Sequence, residues 1–261
     1  MQTDVFVLVA MGTGFTFLAT AAGAAMVFCF KNNGMKKLEQ AFVGFASGVM
    51  MAASVFSLLI PCIEKSQGKL LPAFVPATVG FTVGWLFLFI MDKFVGMYDK
   101  RFCRENKICK RTRMMIFAVT LHNFPEGLAV GLAFAVAASG SDQSALAAAI
   151  ALAVGIGVQN FPEGAAVSLP LKNEGMSNTR AFIYGALTGA VEPLAGICAV
   201  LLVTFVAKSL PWFLALAAGA MVYVVFAELI PQSQEGKHKN WASSGAMIGF
   251  ILMMCLDVAL G

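Results

Sequence analysis

Eight separate runs of mostly apolar residues divide this chain, and nothing else in it limits the possible folds as strongly. A helix crossing the hydrocarbon core of a bilayer needs about 20 such residues. The runs cover 5–30, 39–62, 72–91, 114–138, 144–169, 180–207, 210–231 and 241–260. Between them stand charges and turn formers: Lys31-Asn32-Asn33-Gly34, Glu64 to Lys69, Asp92 to Arg113, Ser139 to Asp142, Lys172 to Ser177, Lys208-Ser209, and Gln232 to Asn240. Lipid offers no hydrogen-bond partners, so a backbone that spans it must satisfy its own N–H and C=O groups, and long apolar runs read as helices. Of the 261 residues, 59% are hydrophobic and 12% charged. Soluble domains are about 45–50% apolar and about 25% charged. The chain therefore reads as an all-α, polytopic integral membrane protein, an eight-helix bundle forming one transmembrane domain over 1–261. That composition excludes a soluble enzyme, a nucleic-acid binder and a disordered scaffold.

The net charge of +4 is loop charge that sets orientation. Fifteen of the eighteen Lys and Arg residues follow the odd-numbered spans, and only Lys65, Lys69 and Lys208 lie on the other side. Cytoplasmic loops carry the Lys/Arg excess. Both termini are expected outside, with the basic loop 92–113 in the cytoplasm next to anionic headgroups. The first run is not expected to be a cleavable signal, because it opens with Asp4 and its first positive charge, Lys31, follows the apolar stretch. The six cysteines are scattered with no C-x-x-C, which argues against a disulfide framework or a thiolate zinc site. Glycines recur four apart in several spans, among them Gly44/Gly48, Gly80/Gly84, Gly127/Gly131, Gly185/Gly189 and Gly245/Gly249, and permit close helix packing.

Ionisable side chains within a bilayer are costly and mark function. Here they are few: His122 and Glu126 in the fourth span, Glu163 in the fifth and Glu192 in the sixth, with Glu228 and Asp257 near span ends. The fourth span reads His122-Asn123-Phe124-Pro125-Glu126-Gly127, and the fifth reads Gln159-Asn160-Phe161-Pro162-Glu163-Gly164. Five of the six letters repeat at a distance of 37 residues. His122 and Glu126 share a helix face at i,i+4, as do Gln159 and Glu163, and Asn123 and Asn160 lie beside those faces. An antiparallel hairpin turning near Gly140 brings the two motifs level within the membrane, with Glu192 at a similar depth. Pro125, Pro162 and Pro193 each cannot donate to the carbonyl four residues back, at Leu121, Val158 and Gly189. Such interruptions at membrane depth are tolerated beside protein or a wet cavity. An imidazole, carboxylates and amide oxygens form a nitrogen/oxygen set for a borderline divalent cation, and the lack of sulfur ligands argues against copper(I).

These residues resemble the ZIP family of divalent metal transporters (Zrt/Irt-like proteins), in particular its bacterial zinc-uptake and GufA-like members. The matching segments are His122–Gly127, Gln159–Gly164, Gly189-Ala190-Val191-Glu192-Pro193, Ala46–Met50, Ala218–Met221 and Glu228–Pro231. The resemblance implies a first metal position at His122, Glu126, Gln159 and Glu163. It implies an adjacent second position at Asn123 and Glu192 sharing Glu126 and Glu163, where many relatives carry aspartate in place of Asn160. It further implies a plasma-membrane homodimer that takes up metal toward the cytoplasm by alternating access. In that motion spans 1, 4, 5 and 6 move against spans 2, 3, 7 and 8. Transported Zn²⁺ is the expected cargo, with Cd²⁺, Fe²⁺ and Mn²⁺ as others, and no prosthetic group is expected. Two other classes fit parts of the pattern: a proton-coupled carrier of organic solutes, and an intramembrane metallohydrolase. The second would want H-E-x-x-H, which the chain lacks. The chain is thus expected not to be an enzyme.

Overall fold

A computed structural model of the chain describes residues 2–29, 36–68, 70–102, 108–139, 143–173, 175–235 and 239–260. Among these, eight stretches are long and apolar enough to cross a membrane: Val5–Phe28, Gln40–Ser66, Phe74–Met91, Val119–Ala138, Ser144–Asn173, Asn178–Leu201, Val203–Ser233 and Lys239–Ala259. The described residues contain no strand.

Two boundaries differ from the sequence reading. The break between spans six and seven was expected at Lys208-Ser209, but it falls at Leu202, whose φ of −120° and ψ of 33° leave the helical region. Lys208 and Pro211 then sit inside a helix that has already begun at Val203. The lysine marks an exposed helix face, not a gap. The connector 92–113 is also shorter than expected. Helix Phe74–Phe102 runs well past the apolar segment and helix Ile108–Ser139 begins before the next one. Lys, Arg and Met are good helix formers, so the helices outlast the hydrophobicity that ends at the membrane surface. The remainder of that connector, 103–107, the turn at Gly140 and the segment with His238 lie outside the described residues.

The prolines act unequally. The fourth and fifth spans continue as helix through Pro125 and Pro162. The sixth is cut into Asn178–Gly189 and Val191–Leu201, with the Ala190 N–H turned to the Leu187 carbonyl three residues back. There a poor helix former, Gly189, stands four residues before Pro193, which cannot donate to it. The cut places Glu192 in the first turn of the second half-helix, where unpaired N–H groups and the helix dipole favour a negative charge.

Spans two and seven carry a matching device. Val55-Phe56-Ser57-Leu58-Leu59-Ile60-Pro61 and Val225-Phe226-Ala227-Glu228-Leu229-Ile230-Pro231 share five of seven residues, and each contains a π turn, over Ser54–Leu59 and Val225–Leu229. In both, the isoleucine N–H reaches the valine carbonyl five residues back. Such turns bend a helix and redirect its side chains.

Glycines divide the bundle into two sets. A Cβ at Gly48 would lie 1.9 Å from the Ala246 carbonyl oxygen, and one at Gly249 would lie 2.2 Å from that of Phe45, so spans two and eight meet backbone to backbone. Gly84 and Gly219 do the same for spans three and seven, and Gly23 and Gly164 for spans one and five. Gly127 and Gly131 press span four onto Glu192 and Gly196 of span six. Among the described glycines, each one inside a span that meets another helix meets one of its own set: spans 1, 4, 5 and 6, or spans 2, 3, 7 and 8. Between the sets the packing is by side chains, with Val43, Met50, Met221 and Val225 on one side and Val119, Val167 and Leu171 on the other.

Candidate metal centre

Spans four and five bring His122, Glu126 and Glu163 to one point. The histidine Nε2 stands 3.1 Å from Glu126 Oε1 and 3.3 Å from Glu163 Oε1. One nitrogen and two carboxylate oxygens lie within 4.8 Å of one another. All three side chains are at most 1% exposed. The i,i+4 spacing in span four gives the first contact, and the level pairing of the hairpin gives the second.

Burying two carboxylates in a bilayer is unfavourable unless they are paired or hydrogen-bonded. Within the protein the pairing is incomplete: Glu126 Oε2 and Glu163 Oε2 have no hydrogen-bond partner, and Glu163 Oε1 meets only His122. A divalent cation would complete it, being a Lewis acid that these donor atoms match in type and charge. Gln159 does not point a free amide at this cluster. Its Nε2 donates to Glu126 Oε1, which fixes that carboxylate, while its carbonyl oxygen lies 3.4 Å from Ser57 Oγ.

Glu192 stands apart from the three. Its Oε1 accepts from Asn160 Nδ2 at 2.8 Å, and the same amide is 3.3 Å from the Thr16 carbonyl. Asn123 donates to the Thr188 carbonyl at 3.1 Å. The donor ends of both asparagines are thus engaged, and their Oδ1 atoms, with Glu192 Oε2, are buried without partners. All seven residues singled out by sequence are buried. The structure gathers three of them into a cluster, sets Gln159 on its edge, and makes Asn160–Glu192 a neighbouring pair.

Residues that the sequence reading passed over also enter. Thr13, Thr16 and Thr20 form a buried polar stripe on span one, legible in retrospect as i, i+3, i+7. Ser57, on the π turn of span two, donates to Asp257 Oδ1 at 2.6 Å. Asp257 thereby joins a polar line through Ser57 and Gln159 to Glu126, although its place near a span end suggested an interfacial residue.

The fold and the site define a polytopic membrane protein with a nitrogen/oxygen ligand cluster sealed inside its helices. The sequence profile of a family described as ZIP Zinc transporter matches residues 103–257. The chain is 36% identical to Zinc transporter ZIP11 of Homo sapiens, over 96% of each chain. It is 38% identical to Zinc transporter GufA of Myxococcus xanthus, over 87% of this chain and 89% of that one. With Zinc transporter ZIPB of Bordetella bronchiseptica it shares 35% identity over 96% of this chain and 81% of the other. The chain belongs to the ZIP family, and so stands among metal transporters and not among enzymes.

Proposed function

We propose that this protein carries divalent metal ions, zinc first among them, across the plasma membrane into the cytoplasm. The observation that supports this reading best is the convergence of His122, Glu126 and Glu163, with carboxylate oxygens left unpartnered in a site closed to water. His122, Glu126, Glu163 and Gln159 serve as the first metal position. Asn123, Asn160 and Glu192 serve as a second, weaker one. Three carboxylates face +4 if both positions hold divalent ions, leaving a formal +1 in a poorly screened place.

Glu126 and Glu163 are the main anionic ligands, and Gln159 orients Glu126. The line Asp257–Ser57–Gln159 supplies oxygen ligands that replace a metal's water in steps on its way to the cluster. With both termini outside, as the loop charges favour, Asp257 lies toward the outer surface and this line is the inward path. The division into two helix sets supports alternating access. Glycine contacts lock each set internally, while a seam of side chains, mostly apolar but crossed by the Ser57–Gln159 contact, joins the two, so the site-bearing spans 1, 4, 5 and 6 slide against spans 2, 3, 7 and 8. One transmembrane domain over 1–261 contains all of this, and the working unit is a homodimer in the bilayer. Proteoliposomes loaded with a metal-sensitive dye test the function: Zn²⁺ enters on addition outside, and Cd²⁺, Fe²⁺ and Mn²⁺ are compared with it. Empty-liposome rates for all four ions would refute it.

A further inference from the structure

The first span has no charged residue between Asp4 and Lys31, yet Thr13, Thr16 and Thr20 on it are completely buried. Thr13 and Thr16 each find an acceptor on their own helix, and Thr16 also hydrogen-bonds Glu192. Thr13 donates to the Val9 carbonyl at 2.8 Å and Thr16 to the Thr13 carbonyl at 3.0 Å. Thr20 reaches the same carboxylate from one turn further along. Its hydroxyl lies 3.3 Å from the Thr16 carbonyl and 3.5 Å from Glu192 Oε1, on another helix.

The backbone around Thr20 is built to admit it. A Cβ at Gly189 would lie 2.8 Å from both its Cβ and its Oγ1, and a Cβ at Gly164 would lie 2.0 Å from its carbonyl oxygen. Gly164 ends the second six-residue motif and Gly189 stands three residues before Glu192. The glycines that adjoin two acidic residues of the site thus clear space for the same threonine. A β-branched residue on a helix has few rotamers, and this packing leaves Thr20 little freedom to turn away.

We propose that Thr20 is a positioning residue for Glu192, which brings span one into the metal site. This rests on the reading of Glu192 as part of that site. A carboxylate at this depth needs donors, and hydrogen bonds to an ionised acceptor are the strong ones. Thr20 and Asn160 both approach Oε1, from spans one and five, and Thr16 is a second donor from span one. Held on that oxygen from two sides, the carboxylate keeps one orientation and leaves Oε2, which has no hydrogen-bond partner, to meet a cation. Thr20 itself touches no metal; it acts through Glu192.

The test is a double-mutant cycle on the full chain in proteoliposomes, read as the zinc uptake rate at subsaturating zinc. Thr20→Val keeps the shape and removes the donor. It is expected to lower the rate about fivefold to tenfold, the upper part of the range for an ordinary side-chain hydrogen bond, and Thr20→Ser is expected to restore it to within about twofold. In a Glu192→Gln background Thr20→Val should cost less than about twofold, because the partner it positions is no longer ionised. A packing defect would instead cost the same in both backgrounds. If Thr20→Val does not fold, Thr20→Ala against Thr20→Ser gives the same comparison. A wild-type rate in Thr20→Val, an equal cost in both backgrounds, no rescue by serine, or a wild-type rate in Glu192→Gln each overturns the proposal while leaving zinc transport standing. A wild-type protein that takes up no zinc overturns the transport function, and this role with it.

Discussion

Asn160→Asp puts the charge balance of the site to work. The amide nitrogen of Asn160 lies 2.8 Å from Glu192 Oε1. An aspartate oxygen in its place would turn a charge-assisted hydrogen bond into a contact between two anions. At an effective dielectric of about 20, two unit charges at that separation repel by about 6 kcal/mol, falling to about 3 kcal/mol if they swing to about 5 Å. The hydrogen bond lost is worth about 1.5–3 kcal/mol. The metal-free variant should therefore be about 5 kcal/mol less stable. At about 2–4 °C per kcal/mol for a chain near this size, its Tm falls by about 10–20 °C. A second divalent ion between the two carboxylates reverses the effect, so rising zinc should stabilise the variant far more than the wild type. Thermal unfolding in detergent, with chelator and then over a zinc series, measures both quantities. A metal-free Tm equal to wild type, or equal zinc shifts in the two proteins, would show that residue 160 does not face Glu192 or that another group supplies the missing charge.

Glu126→Gln and Glu163→Gln each remove a charge that offsets the ion while preserving shape, and removing one partner of a buried charge pair costs about 3–5 kcal/mol. Zinc uptake should fall at least about a hundredfold in each, with normal insertion and gel-filtration profiles. Gly48→Ala would set a Cβ 1.9 Å from the Ala246 carbonyl oxygen, forcing spans two and eight apart, whereas a Cβ at Gly14 meets nothing within 4 Å. Overpacking costs about 1–3 kcal/mol, so Gly48→Ala should lower Tm by several degrees and Gly14→Ala should not. For orientation, an impermeant thiol reagent on intact cells should label a cysteine placed at either terminus and spare one placed in 92–113; the reverse pattern would invert the topology and the proposed direction of entry.

The parts legible in sequence were those that the bilayer dictates. Eight apolar runs had to be helices, and a carboxylate within them had to have a reason to be there. His122 meets Glu126 because a helix brings i and i+4 together, and meets Glu163 because the repeated motifs sit level in a hairpin. Hydrophobicity was a poorer guide to where helices end, since charged residues past the membrane surface continue a helix well; hence the misplaced break near Lys208 and the overlong connector at 92–113. Partner choice was beyond the reach of spacing. Glu192 lies at the expected depth, yet its Oε1 is taken by Asn160, and Gln159 turns its nitrogen to Glu126. The threonines of span one were hidden because a hydroxyl weighs little in a hydropathy profile, and the site on spans four to six gave no reason to search span one for a polar face.

Anomalous scattering at the zinc absorption edge on crystals of the zinc-soaked protein tests most directly whether the cluster holds the transported ion. The expected result is a strong peak bounded by His122 Nε2 and the carboxylates of Glu126 and Glu163, lost in Glu163→Gln. A protein that transports zinc yet shows no peak there, or shows its only peak among other side chains, would contradict the assignment.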